Sequence, residues 1–268
     1  TTGDGMRIYQ RSLCFLMVVA AQELFPEARL VIDHSLTLSG LYCEVQERPP
    51  FTAEEIGQLE ARMRELVAED APIGKERMPL DQAIEMFRQQ GYEDKVRLLR
   101  YCQKDYLIVY TLHGVRDYFY GYMVPSTGYL RHFALHWYPP GWILRFPRRH
   151  DPHRLPPFRD SPKLARVFRD YRRSLQVMGV EDVSTLNEAT ESCRMHEVVL
   201  INEALHEHEI SQIAQTVADH QGELRLVLLS GPSASGKTTT AKRLSVQLLA
   251  HGIHPLTLGL DDYFLDRD

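Results

Sequence analysis

The chain has 268 residues, of which 44% are hydrophobic and 25% are charged, so it is long enough to bury one or two cores. Its formal net charge of −5 gives no overall reason to expect nucleic acid or an anionic membrane as a partner. The four cysteines are scattered without a C-x-x-C pair, which argues against a disulfide framework or a thiolate zinc site and favours a reducing, cytoplasmic location.

An apolar run near the beginning of the chain, Leu13–Ala21, predicts a buried helix. The run is too short to span a bilayer, and we expect no membrane partner. It is similar to the core of a signal peptide, but it continues into polar residues and stops at Pro26, as a buried helix does. An extended stretch is expected next, over Ala28–Val45.

Helices and then strands are predicted over the following hundred residues. Thr52 and Glu55 have the spacing of a capping box at the beginning of an amphipathic helix, and a second helix is expected over Leu80–Gln90, closed by Gly91. The predicted strands are Tyr106–Leu112, Phe133–Trp137 and Trp142–Phe146, the last two joined by a turn at Pro139-Pro140-Gly141. Residues 1–148 therefore predict an α+β domain.

A linker and a helical region are predicted over residues 149–222. The linker is rich in proline and charge, and Ser161 with Pro162 predicts the beginning of a helix that Gly179 ends. Thr185 and Glu188 predict a second capping box, followed by helical sequence to about Val217.

The segment Gly231–Thr238 satisfies the pattern G-x-x-x-x-G-K-[ST], between a predicted buried strand, Leu224–Ser230, and a predicted helix, Thr239–Ala250. Its glycines let the backbone curl so that amide N–H groups converge on an anion, and the helix directs its N-terminal dipole at the same point. We predict that nine residues bind the phosphates of ATP: Gly231, Pro232, Ser233, Ala234, Ser235, Gly236, Lys237, Thr238 and Thr239.

A second acidic site is predicted one strand later. Leu256–Leu260 reads as a strand, and Asp261 and Asp262 follow it at the edge where open α/β sheets bind ligands. A carboxylate there could take a proton from an attacking hydroxyl or help to hold Mg²⁺, while a helix cap or a solvated loop is the alternative. Residues 223–268 therefore predict the start of an α/β P-loop NTPase domain, with an incomplete parallel sheet.

The loop, taken with Leu260-Asp-Asp-Tyr-Phe264, resembles the uridine kinase and phosphoribulokinase family of P-loop kinases. The resemblance implies transfer of the ATP γ-phosphoryl group to the 5′-hydroxyl of a nucleoside, uridine or cytidine. It implies that Lys237 and Asp262 are catalytic, Asp262 as the base of an Asp-x-Phe element, and that Thr238 and Asp262 hold Mg²⁺. Kinases of this kind continue far beyond Asp268, so we expect a fragment that binds nucleotide weakly and turns over little.

The first 148 residues resemble the second additional (editing) domain of threonyl-tRNA synthetases. The likeness is carried by Phe25-Pro-Glu-Ala-Arg-Leu, Pro50-Phe-Thr-Ala-Glu-Glu and Val124-Pro-Ser-Thr-Gly128. Those domains carry an H-x-x-x-H pair on the first helix and a C-x-x-x-H pair before the V-P-x-T-G element. Here the four positions hold Arg11, Phe15, Phe119 and Met123. An aromatic ring or a thioether cannot replace an imidazole or a thiolate on a divalent metal, so the resemblance implies the editing fold without its chemistry.

Two alternatives remain open at this point. One is a nucleotide-responsive regulatory or RNA-binding protein, favoured by ten basic residues against three acidic ones between Arg145 and Arg173, although a solvated helix face explains the same excess. The other is a P-loop kinase of another small alcohol. A metal site in Leu205–Glu209 would need further ligands, and His132 and His136 are expected to face solvent. The aromatic residues of Tyr118–Tyr122 are expected to fill the former editing pocket rather than stack a base.

Overall fold

The computed structural model describes residues 2–36 and 40–263, without the side chains of Asp261 and Asp262. Tertiary contacts divide the chain into two units, Thr1–Phe168 and Arg169–Asp268. None of the helices in the described ranges is long and apolar enough to cross a membrane.

The N-terminal unit is α+β, with two antiparallel sheets. Its elements in chain order are α1 (Gly3–Leu24), β1 (Arg29–Leu36), β2 (Gly40–Gln46), α2 (Ala53–Ala68), β3 (Gly74–Pro79), α3 (Leu80–Gln89), α4 (Glu93–Leu99), β4 (Tyr106–Leu112), β5 (Val115–Tyr118), β6 (Ala134–Tyr138) and β7 (Gly141–Arg145). One sheet has the strand order β1-β2-β7-β6 and the other the order β3-β4-β5.

Helix α1 lies at the centre of the main core, as its apolar sequence predicts. Thr2 caps its first turn by accepting a hydrogen bond from Gly5 N, and the helix ends before Pro26 because the residue that precedes a proline avoids the helical region. Every residue from Ser12 to Met17 is buried, so the helix is surrounded by protein along its second half. The apolar run therefore belongs to the core of a folded domain.

Helix α2 and the hairpin β6–β7 also form where the sequence predicts them. Thr52 and Glu55 make the capping box, and α2 buries an apolar stripe of Ile56, Leu59, Met63 and Leu66. Strands β6 and β7 pair in antiparallel register across the Pro139-Pro140 turn. At these elements the local sequence signals and the tertiary packing favour the same structure, so the sequence predicts them correctly.

The C-terminal unit is helical, and its elements are packed in two small apolar clusters. The helices are α5 (Pro162–Met178), which crosses the boundary between the units, α6 (Val183–Glu191), α7 (Met195–Asp219) and α8 (Lys237–Ala250). The predicted capping box at Thr185 and Glu188 is wrong. Asp182 is the cap and Thr185 is its partner at the third position, because a carboxylate accepts the free amide N–H at the beginning of α6.

The two strands predicted around the phosphate-binding loop are absent from the described residues. The segment 224–230 has no regular secondary structure, and Leu226 and Leu228 are 73% and 82% exposed. Leu256 is likewise 83% exposed, and the next regular element is a 3-10 turn, Leu260–Tyr263. A strand needs neighbours to satisfy its backbone N–H and C=O groups and to cover its side chains, and the described part of the chain shows no parallel sheet.

Candidate functional site

The segment that follows β5 is attached directly to α1, at the place where the resembled editing domains carry their ligands. Ser12, which is fully buried, donates from its hydroxyl to Ile8 O at 2.8 Å and accepts from Val124 N at 3.0 Å. The Tyr110 hydroxyl donates to Gly121 O at 2.6 Å, and burial raises the pKa of this phenol. Helix, strand and connecting segment are thus held together by buried polar contacts.

The four positions predicted to have lost their ligands converge at this place. Phe15 is completely buried, and its ring meets that of Phe119 edge-on, with the ring centroids 5.4 Å apart. Met123 packs against the same core. Arg11 donates from Nη1 to Tyr122 O at 2.6 Å. An edge-on aromatic pair therefore occupies the space in which an imidazole and a thiolate would face each other.

Glycine at position 121 is required by the approach of Arg11. Gly121 has φ +100°, and a Cβ atom there would lie 2.9 Å from both terminal nitrogens of the guanidinium. The described residues contain no group of three His, Cys, Asp or Glu side chains that could hold a metal ion. The four positions therefore present a hydrogen-bonded guanidinium, two aromatic rings and a thioether.

The Val124-Pro-Ser-Thr-Gly128 element fastens this segment to the end of α2. The buried hydroxyl of Thr127 donates to Leu66 O and accepts from Ala71 N at 2.9 Å. Asp70 accepts hydrogen bonds from Ser126 Oγ and from Gly128 N. A Cβ atom at Gly128 would lie 2.3 Å from the Asp70 carboxylate, so only glycine fits. The element therefore has a structural role, and we call Val124–Gly128 the clasp.

The aromatic residues of Tyr118–Tyr122 divide into two pairs, so the prediction that they all fill the pocket is only partly right. Tyr118 packs against the second core beside Phe87, and Phe119 enters the first core. Tyr120 and Tyr122 are instead 69% and 68% exposed. Strand β5 ends at Tyr118, so Phe119, Tyr120 and Tyr122 lie outside it, and the tertiary packing decides which rings are buried.

One buried ion pair near the site was not foreseen from the sequence. Lys95 Nζ lies 2.7 Å from Asp117 Oδ1, and both side chains are mostly buried. Tyr118 N also donates to Asp117 Oδ1, and burial raises the pKa of the Tyr118 hydroxyl to about 12. The available signal was an acidic residue in a short predicted β region, since a carboxylate that becomes buried requires a partner of opposite charge.

The prediction that His136 faces solvent is only partly right, because its side chain is half-buried. Its ring is tilted against Phe158 with the centroids 3.9 Å apart, because the proline-rich linker runs across this strand. Burial, and then the charge of Arg145, lower the pKa of His136 from its usual 6.5. Arg145 itself donates to Pro156 O, so this member of the basic stretch is engaged inside the N-terminal unit.

The loop Gly231–Thr238 has features of an anion-binding turn. Ala234 has φ +60° and Gly236 has φ +81°, and left-handed residues of this kind turn neighbouring N–H groups towards one point. Helix α8 begins at Lys237, whose Nζ donates to Gly231 O at 2.9 Å and to Pro232 O at 2.7 Å. The lysine therefore holds its positive charge across the loop, and the Thr238 side chain is exposed beside it.

The acidic residues that follow lie partly outside the described residues. Asp261 and Asp262 belong to the 3-10 turn Leu260–Tyr263, but their side chains and all of residues 264–268, including Phe264, are not described. Because no parallel sheet is formed, no strand edge brings Asp262 beside the loop within the described chain. Its role as a base or as a ligand of Mg²⁺ stays a prediction.

Comparison with known proteins bears on the N-terminal unit, whose two antiparallel sheets and central helix define an α+β module. No family model matches the chain. Over 133 residues, or 49% of its length, the chain is 37% identical to the threonine–tRNA ligase of Marinobacter nauticus. The same length is 35% identical to the threonine–tRNA ligase of Polynucleobacter asymbioticus and 34% identical to that of Laribacter hongkongensis. The similarity covers the editing-like N-terminal region, so this part of the resemblance is confirmed.

The chain spans about a fifth of the length of these curated relatives, 21% in each case. The relatives nevertheless overturn the prediction of a uridine kinase-like transferase that phosphorylates uridine or cytidine. They are named as ligases of threonine and tRNA, and the described sheets are antiparallel. The physical reason for the error is that a phosphate-binding loop identifies a phosphate ligand, while the reaction depends on a surrounding site that the loop does not specify.

Proposed function

We propose that the N-terminal unit is a tRNA-recognition module that has the editing-type fold and does not hydrolyse aminoacyl esters. The observation that carries the proposal is the convergence of Arg11, Phe15 and Phe119, with the two rings in contact at 5.4 Å. The relatives supply the class of partner, because all of those compared are named for tRNA. A partner of this class also supports a cytoplasmic location.

Loss of hydrolysis follows from the chemistry of the replaced positions. Ester hydrolysis requires a water molecule that is activated by a metal or by a general base. The ring of Phe15 and the thioether of Met123 accept no proton near neutral pH, and the guanidinium of Arg11 offers N–H donors without an acceptor. Binding does not depend on these groups, so recognition of tRNA can persist after the chemistry is lost.

The test combines binding with a rate measurement. The full chain is mixed with a tRNA that accepts threonine, in uncharged and threonylated forms, and retention on a filter is measured at low and moderate salt. We expect retention that weakens with salt, and an ester lifetime equal to that of threonyl-tRNA alone. Faster loss of the ester would show that the site is active, and absence of retention at low salt would refute recognition.

A second proposal concerns the C-terminal unit, where we infer that Gly231–Thr239 binds the phosphates of a nucleotide such as ATP. It is supported by the left-handed residues of the loop and by Lys237 at the beginning of α8. The loop amides and Lys237 would neutralise phosphate charge, and the Thr238 hydroxyl with Asp262 would hold Mg²⁺. Bound Mg²⁺ would neutralise further phosphate charge.

Substitution within one helix tests this second proposal. Lys237→Ala is compared with Lys242→Ala, which removes the same charge from an exposed position of α8. Calorimetric titration with ATP and Mg²⁺ should show at least tenfold weaker binding for Lys237→Ala and unchanged binding for Lys242→Ala. Equal affinity of the two variants, or no binding to the unsubstituted chain, would refute it.

A further inference from the structure

Two cations of strand β3 lie beside aromatic rings from β4 and from the segment after β5, away from Phe15 and Phe119. We call this group the edge strip and define it as Lys75, Arg77, Tyr106 and Tyr122. β3 lies at the edge of the sheet β3-β4-β5. Lys75 pairs with Tyr110 and Arg77 with Ile108 in the antiparallel register, so both cations lie on the face of the sheet that carries Tyr106.

Each cation of the edge strip lies against an aromatic ring. Lys75 Nζ is 4.4 Å from the centre of the Tyr122 ring, and Arg77 Cζ is 3.6 Å from the centre of the Tyr106 ring. Tyr122 remains 68% exposed, so part of its ring surface is open to a ligand. The Arg77 side chain is 65% exposed, so its guanidinium plane can also be reached from solvent.

The charge around the edge strip is predominantly positive. Lys104 lies over the same Tyr106 ring at 5.9 Å, and Arg11 is bonded to Tyr122 O at the other end. Asp105 lies 3.9 Å from Arg77, but both side chains are largely exposed, and a pair of this kind is weak in water. Glu76 and Met78 lie on the opposite face of β3. The carboxylate of Glu76 therefore does not lie among the cations of the edge strip.

Lysine at a sheet edge has a simpler role, which is to prevent pairing with another chain. That role needs charge alone. It does not need a tyrosine beside each cation, and the largely exposed ring of Tyr122 would favour association rather than prevent it. The combination of cations with accessible aromatic faces is instead the one by which proteins bind single-stranded nucleic acid, with bases stacked on rings or guanidinium planes and phosphates near the cations.

We propose that the edge strip binds an unpaired segment of RNA. Tyr122 and the Arg77 plane would each stack one base, and Lys75 and Arg77, about 6.6 Å apart along the strand, would neutralise consecutive phosphates. The proposal rests on the proposed recognition of tRNA, and it names the part of such a partner that this surface takes. It requires no chemistry at Phe15 or Phe119.

The experiment uses fluorescence anisotropy with the full chain and three labelled probes. The probes are a tRNA with its unpaired 3′ end, the same tRNA with that end removed, and a short unstructured RNA. Tyr122→Ala is compared with Tyr129→Ala, which removes another exposed tyrosine that is 63% accessible. Lys75→Ala with Arg77→Ala is compared with Arg88→Ala combined with Lys163→Ala, which has equal net charge and changes exposed positions of α3 and α5.

We expect Tyr122→Ala to weaken binding of the short RNA and of the complete tRNA about tenfold or more, with little effect of Tyr129→Ala. The double variant Lys75→Ala, Arg77→Ala should reduce the slope of log affinity against log salt by about 1.4, because two phosphate contacts are lost. The other double variant should change the slope less. Removal of the unpaired end from the tRNA should abolish these differences.

The possible results separate the two proposals. If the chain binds tRNA and the edge-strip variants bind it equally well, the edge-strip proposal fails while tRNA recognition stands. If only the short RNA binds, through Tyr122, the edge strip stands and recognition of tRNA fails. Sedimentation checks the simpler role: aggregation of the Lys75→Ala, Arg77→Ala variant with unchanged RNA affinity would identify the strip as edge protection and overturn the proposal.

Discussion

The Phe15–Phe119 position and the phosphate-binding loop differ in whether the fold or the sequence motif is complete. At Phe15 and Phe119, where the resemblance predicts lost ligands, the fold is complete and the two rings meet inside a continuous core. At Gly231–Thr238 every residue of the motif is present and helix α8 follows, but the preceding segment 224–230 forms no strand and its leucines are exposed. The difference shows that a sequence motif indicates a ligand, whereas a fold results from packing. Either one can occur in a chain without the other.

The largest expected effect tests whether the former editing position now serves the core. Phe15→Ala should lower the free energy of unfolding of the N-terminal unit by about 3–5 kcal/mol, because it leaves a cavity beside Phe119. Tryptophan fluorescence during chemical denaturation measures this unit alone, since the two tryptophans, Trp137 and Trp142, both lie in it. A loss below about 1 kcal/mol would mean that the rings do not carry the packing assigned to them.

The next effect concerns the clasp of the Val124–Gly128 element. Thr127→Val keeps the shape of the side chain but removes the hydroxyl that bonds to Leu66 O and Ala71 N, so unfolding should become easier by about 1–3 kcal/mol. Thr111→Val, at a half-buried position of β4 in the same unit, is the matched control and should change stability by less than about 0.5 kcal/mol, both variants being measured by tryptophan fluorescence. Equal effects of the two substitutions would contradict the structural role of the clasp.

A smaller effect on the free energy of unfolding is expected when the pH is lowered. The pKa of His136 is lowered in the folded protein, so below its usual value of 6.5 the unfolded chain binds more protons than the folded one. The contribution of His136 to stability is therefore present above pH 6.5 and is lost as the pH falls through the lower folded pKa. His136→Gln should make the decrease in unfolding free energy on acidification smaller. An unchanged pH dependence, measured by tryptophan fluorescence, would contradict this assignment.

The smallest expected effect concerns the segment that precedes the phosphate-binding loop. Leu228→Ser replaces a side chain that is 82% exposed, and it should change the stability of the helical unit by less than about 0.5 kcal/mol. If the segment were a strand buried in a parallel sheet, the same substitution would cost at least about 2 kcal/mol. Far-ultraviolet circular dichroism during thermal unfolding distinguishes these outcomes, with Leu244→Ser as the buried control in α8.

Much of the N-terminal unit could be predicted because its signals are local. The capping box at Thr52 and Glu55, the apolar run of α1 and the apolar and aromatic run of β4 each specify an element from a few neighbouring residues. The loss of ligands at Arg11 and Phe15 was also predicted, from the resemblance to editing domains. Helix α4, the break between α6 and α7 at Cys193, and the Lys95–Asp117 pair were missed, because short elements and distant pairs leave little trace in sequence.

The sequence by itself determined the helices, the hairpin and the residue types at the former editing position, since these depend on periodicity, caps and identity. Only the tertiary structure decided that Phe15 meets Phe119 and that Tyr122 is left exposed beside Lys75. It also decided that Leu224–Ser230 remains unpaired, although its composition is that of a buried strand. The physical reason is that a strand and a buried contact are properties of at least two segments, and no single segment specifies its partner.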